Sequence, residues 1–219
     1  MTQYSQFQAY LERLTSLYLR AVCAFHIFET LEELIAPNIV GKEANKNVDI
    51  MNSFGGFFVI TKHSLNFYFL TELARILDNH KKSLHIEKVI KYAETFQNDM
   101  NVEEFKKNNP NRTFLEELAT RYKGIEKEDL EKINKMMEET KAIREKLKGY
   151  RDQNLAHEDI EKEKYKISRD EVVKLFDLIK QVLNTFSNKT NFSTTSYKMA
   201  IDDSIRDTKN LLNKLKAGV

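Results

Sequence analysis

Proline and glycine are scarce in this sequence, two and six in 219 residues. Sheet-rich folds need frequent turns and long helices do not, so this scarcity argues against a β architecture. Cys23 is the sole cysteine, which excludes an intrachain disulfide and a cysteine-built zinc cage. It sits in an apolar helical run and reads as a buried, inert thiol. Neither sign of charge dominates: 35 basic against 33 acidic residues, net +2. No polyanion-binding tail exists, and any nucleic-acid contact has to be local. Long apolar runs are also missing. The most apolar stretch, residues 53–70, is interrupted by Lys62, His63 and Asn66, too short for a clean membrane span. Met1 to Gln8 is polar and lacks the pattern of a secretion signal, so a cytoplasmic location is expected. No phosphate-binding glycine loop, HExxH pair or internal repeat is present. His26, His63, His80 and His85 are scattered, and each reads as a packing or surface histidine. No metal or other cofactor is expected.

What the sequence does contain is helical periodicity. Tyr10, Leu14, Leu17, Ala21, Ala24, Phe28, Leu31 and Ile35 recur at three- and four-residue steps, predicting a helix over 4–35 that Pro37 stops. Residues 37–49 read as a polar connection with a helical tendency from Lys42 onward. Residues 50–79 predict a helix apolar on most sides, hence central to a bundle. There Gly55 and Gly56 would permit a bend or a close crossing. An amphipathic segment follows over 84–97, then a mostly loop stretch over 98–113 marked by Pro110, and a short helix over 114–122, broken by Gly124. A charged helix starts near Lys127, with Leu130, Ile133, Met137, Thr140, Arg144 and Leu147 on one seam. Ser168 and Glu171 form a capping box for a helix to about Phe186. A polar linker and an amphipathic helix over about 198–216 end the chain.

The charged helix leads into GYRDQNLAHED, residues 149–159. On a continuous helix Arg151 and His157 lie about 9 Å apart along the axis, with Asn154 midway. Arginine grips phosphate bidentately and stays charged; histidine exchanges protons near neutrality. These are the parts needed for metal-free RNA cleavage. A base deprotonates the 2′-hydroxyl, the alkoxide attacks the adjacent phosphate, and a cation steadies the charge. One histidine is thin for both acid and base, and a two-fold homodimer would double it. The spacing also fits a plain helix end, Arg151 and His157 complementing the dipole and Gly149 stopping the helix.

The stretch resembles the signature of the HEPN domain family: Arg151, the polar Asp152, then QNLA, then His157. YRDQNLAHED is especially similar to the abortive-infection AbiU-like branch, as is FYFLTELARILDN (67–79), where Arg75 and Asp78 match the branch's earlier helix. The resemblance implies an all-α, HEPN-like antiparallel helical bundle with long helices over 1–187. A polar linker (188–197) and an extra C-terminal helix (198–219), packing on the bundle or a partner, complete the expected layout. It further implies a homodimer whose two signatures line one cleft, and a metal-independent RNA endonuclease of phage defence or a toxin–antitoxin pair. On that reading Arg151 contacts the scissile phosphate, His157 is acid and base, Asp152 orients or tunes them, and Asn154 is a lesser candidate. Arg75 and Asp78 would support the site. The basic cleft would come from Lys146, Lys148, Arg151 and Lys162 with their symmetry mates. A cognate antitoxin or nucleotidyltransferase is the implied partner. Catalytically silent family members set the alternative: a module binding a partner protein, nucleotide or RNA without turnover.

Overall fold

The computed structural model describes residues 1–80, 82–155 and 165–218, Asn154 and Leu155 by their backbone alone. Among these residues the chain is all-α: eleven α-helices and no strand. In order they are α1 (Gln3–Leu34), α2 (Pro37–Val40), α3 (Glu43–Ser53), α4 (Gly55–Leu77), α5 (Ile86–Thr95) and α6 (Val102–Asn108). Then come α7 (Leu115–Arg121), α8 (Lys127–Glu139), α9 (Lys141–Tyr150), α10 (Arg169–Asn191) and α11 (Lys198–Gly218). No helix among the described residues is long and apolar enough to cross a membrane.

The periodicity of α1 holds, and Pro37 both ends it and opens α2 at the first helical position. Two departures have local causes. The segment expected as loop over 98–113 contains α6, because Asn101 caps it by accepting from the Glu104 amide at 3.0 Å and Phe105 is fully buried. Helix α10 runs five residues beyond Phe186, into polar sequence, because its last turn is anchored. The Tyr4 hydroxyl donates to the Thr190 carbonyl, and Gln8 Nε2 donates to Thr190 Oγ1 at 2.8 Å. Burial pushes the Tyr4 hydroxyl up to about 12. The capping box forms as read: the Glu171 amide donates to Ser168 Oγ at 3.3 Å and the Ser168 amide to Glu171 Oε2 at 2.7 Å.

The chain divides into two compact units. The first comprises Met1–Tyr18 and Leu73–Thr195. Its core is aromatic and aliphatic: Phe7 meets Phe186 edge-on at 5.4 Å, Tyr18 meets Phe176 at 5.8 Å, and Leu175, Ile179 and Val182 of α10 are buried. Lys189 ties α10 to the start of α8 through Glu126 (2.6 Å) and Asp129 (3.0 Å). Gly124, which precedes α8, has φ +70°, and a Cβ there would lie 2.4 Å from the Met100 carbonyl oxygen, so only glycine fits.

The second unit comprises Leu19–Glu72 and the residues from Ser196 on. Its core gathers Leu31, Ile50, Met51, Phe58 and Leu212, with Leu65 and Leu215 packed against it. Helix α11 thus buries its apolar edge here. Cys23 is partly buried, its thiol directed to the Ala200 carbonyl at 3.8 Å. The expectation that α4 is buried all round is not met. Phe58, Phe69 and Leu70 are covered, but Phe57 (58% exposed), Ile60 (65%), Val59, Phe67 and Tyr68 are open. A helix apolar all round is covered all round only where neighbours pack on every side. The Gly55–Gly56 pair marks a break between α3 and α4, not a close crossing: a Cβ on either would touch nothing within 4 Å.

Candidate functional site

The site is assembled from the C-terminal end of α4, the start of α5 and one face of α9, all within the first unit. The helix expected to run unbroken from Lys127 into the signature is broken once, at Thr140 (φ −101°, ψ 1°). The Thr140 hydroxyl donates back to the Met136 and Met137 carbonyls at 2.9 and 3.2 Å. Arg144 Nη2 donates to the same Met137 carbonyl at 3.0 Å, and its Nη1 to Glu87 Oε1 of α5 at 2.5 Å. A side chain inserted into the helical hydrogen-bond ladder is an ordinary cause of such a break. The break fixes the direction in which α9 leaves.

Past Tyr150 the backbone widens into a π-turn over Arg151–Leu155. Single π-turns within helices recur at functional sites. Gly149 does not stop the helix, as its position suggested. It lies inside α9, where a Cβ would come within 2.7 Å of the Tyr165 ring, so its role is close approach.

Arg151 is the centre of the arrangement. Its Nη1 donates to Asp78 Oδ2 at 2.5 Å. Its Nε and Nη2 both donate to one oxygen, Oδ1 of Asp152, at 2.9 and 2.6 Å. The two phrases that carry the resemblance, 73 residues apart in the chain, therefore meet in one ion pair. The side chains of Arg151 and Asp78 are 24% and 18% exposed, that of Asp152 51%. Partial burial pushes the Asp78 carboxyl up. The hydrogen bond and charge of Arg151, aided by Lys148, outweigh that and hold it below the usual carboxylate range. The hydrogen bond to Asp78 raises Arg151 above its ordinary value, with desolvation opposing and Asp152 adding. The guanidinium is locked in its charged form.

A cleft of about 260 Å³ opens beside this pair, floored by Ala74, Leu77 and Leu147. Lys141, Arg144 and Lys148 of α9 and Arg151 of the π-turn line it, at three- and four-residue steps. Glu87, Glu145 and Asp78 stand among them. The basic lining is therefore not the expected set. Lys146 faces elsewhere and is held by both carboxylate oxygens of Glu171 at 2.8 and 2.7 Å. Lys162 lies outside the described residues. Sequence reading missed Lys141 and Arg144 as lining residues. The signal was their stride with Lys148 and Arg151; it was obscured because Arg144 falls on the apolar seam.

The structure brings together Arg151, Asp152 and Asp78. Arg75, in the last turn of α4, is exposed and does not line the cleft. His157 and the side chain of Asn154 lie outside the described residues. His85 is structural: it caps α5, its Nδ1 accepting from the Lys88 amide at 3.2 Å.

No curated protein and no solved structure matches the chain. A HEPN-domain family model, described as AbiU2, matches residues 4–211, nearly the whole sequence. With that coverage the chain belongs to the AbiU2 family of HEPN domains.

Proposed function

We propose that this protein is a metal-independent RNA endonuclease of the HEPN type that acts in abortive infection or as a toxin, with its active site completed across a homodimer. The observation that carries the reading is Arg151. It is fixed by Asp78 at the wall of a cleft whose α9 face also presents Lys141, Arg144 and Lys148. A rigidly held guanidinium beside a basic ladder suits a ribose-phosphate chain. Arg151 would hold the scissile phosphate and stabilise the charge that grows on it. His157 of one copy, six residues further on, would take the 2′-hydroxyl proton, and that of the other would give one to the leaving 5′-oxygen. Cleavage by that route leaves a 2′,3′-cyclic phosphate, and DNA, without the internal nucleophile, is spared. A second copy of the chain would supply the second histidine, so that acid and base are separate groups.

The test is purified protein with an RNA panel in EDTA. Cleavage with cyclic-phosphate ends, lost in R151K and H157A while the oligomeric state is kept, supports the reading. An intact panel overturns it.

One observation favours a second reading, a silent HEPN module that binds a partner protein, nucleotide or RNA. Arg151 is already neutralised by two carboxylates. On that reading H157A leaves cellular function unchanged. The partner in either case would be a cognate antitoxin or a nucleotidyltransferase.

A further inference from the structure

Arg151 is shared unequally between its two carboxylates. Asp78 takes one terminal nitrogen, Nη1, from a half-buried position at the end of α4. Asp152 takes the Nε–Nη2 edge, with both nitrogens on a single carboxylate oxygen. That edge is one of the forks by which arginine grips an oxyanion with two parallel hydrogen bonds. The Asp152 side chain is half exposed, so releasing it to water costs little, whereas releasing Asp78 would strand a less exposed charge.

We propose that Asp152, at the rim of the cleft that Arg151 lines, is an internal stand-in for phosphate: its carboxylate occupies the Nε–Nη2 fork of Arg151, and a phosphodiester of single-stranded RNA that reaches that fork displaces it while Asp78 keeps its hold on Nη1. This rests on the reading of the cleft as an RNA site and adds a latch to it. Charge explains why a latch results. Arg151 and Lys148 against Asp78 and Asp152 sum to zero while Asp152 holds the fork, so nothing net attracts a phosphate. With Asp152 turned outward, the remaining three groups sum to +1. Lys148 makes no ion pair among the described residues, so its charge is open to the incoming anion. Lys148 lines the same cleft three residues earlier, about 4.5 Å along the axis, near enough to reach another oxygen of the same phosphodiester. The adjacency of Arg151 and Asp152 ties the latch to the π-turn. Adjacent Arg206 and Asp207 on the regular helix α11 meet only at 3.5 Å, whereas in the π-turn Arg151 and Asp152 close to 2.6 Å through two nitrogens. Asp78 is on this account a positioning residue and Asp152 a competitor of substrate.

The experiment is a binding cycle with a 2′-O-methylated RNA hexamer, which lacks the nucleophile and is not cut. Affinity is measured for the wild type, D152N, R151K and R151K/D152N. Lysine keeps a charge for Asp78 but has no fork. The expected result is that D152N binds about three- to tenfold tighter than wild type, as for loss of an exposed competing ion pair. In the R151K background the same change gives less than a twofold gain. Circular dichroism confirms that each variant is folded. Equal gains in both backgrounds would show a general charge effect and overturn the latch, as would no gain or no binding by any variant. The latch and the ribonuclease reading fail separately. A gain confined to the Arg151 background, in a protein that cuts no RNA, removes only catalysis. Efficient cutting with no such gain removes only the latch.

Discussion

At the scale of single residues, two titratable groups give the fold a readable pH dependence. His85 is buried, and burial lowers its pKa, the charge of Glu87 opposing. Its Nδ1 accepts a hydrogen bond, so the folded state prefers the neutral ring. A group with a depressed folded pKa contributes stability above its unfolded value, about 6.5, and loses it as pH falls through the folded value. H85S replaces the ring with a cap that does not titrate. The difference in thermal midpoint between wild type and H85S is expected to move against wild type between about pH 7 and pH 5. A difference flat in pH would contradict the capping role. Asp78 follows the same sign for a carboxylate. Its pairing with Arg151 is fully present above about pH 5 and is lost as pH falls through the depressed value. D78N should therefore cost about 1–2 kcal/mol at neutral pH in urea unfolding, with the gap closing in acid. The Arg151–Asp78 bond itself was not legible from periodicity. Spacing rules connect residues within a helix, and these two are 73 apart; only their place in two phrases of one family hinted at it.

At the scale of elements, an apolar stripe was enough for α11, a stripe with the Pro37 stop for α1, and a stripe with the Ser168–Glu171 cap for the start of α10. The sequence reading failed where one polar residue is buried for a tertiary reason. Thr190 extends α10 because Tyr4 and Gln8 reach it from α1, and nothing local announces that. Asn101 with Glu103, Glu104, Lys106 and Lys107 did announce α6, by cap and by charge order, but Asn109, Pro110 and Asn111 masked the pattern. The element that matters most for the site is α9, set by the Thr140 break at one end and packed on Tyr165 near the other. G149A places a methyl group against the Tyr165 ring. It is expected to destabilise the protein by about 1–3 kcal/mol, the range for overpacking, although alanine is the better helix former. A melting temperature equal to or above wild type would show that the Tyr165 contact does not constrain the helix.

At the scale of the whole molecule, the single chain leaves apolar surface uncovered on α4, within the second unit. Uncovered stripes of this kind mark interaction surfaces. If the proposed homodimer forms through this stripe, F57E/I60E is expected to convert a dimer to a monomer in light scattering without loss of helicity. A monomeric wild type, or a dimer unaffected by that pair of charges, would remove α4 from the interface. The all-α class and the family were legible from composition and from two short phrases. Of the three boundaries between the two units, the one at Thr195–Ser196 falls in the linker expected over 188–197; the other two were not legible, because they fall inside α1 and α4, where the apolar periodicity runs on without a break.

If the Arg151 cleft acts on an RNA phosphodiester, the cleavage rate of single-stranded RNA by wild type and R151K in EDTA shows it most directly. Wild type should leave 2′,3′-cyclic phosphate ends. R151K, which keeps the charge and loses the fork, should cut at least about 100-fold more slowly. RNA left intact by the wild type, or cut equally fast by both, would contradict that reading of the cleft.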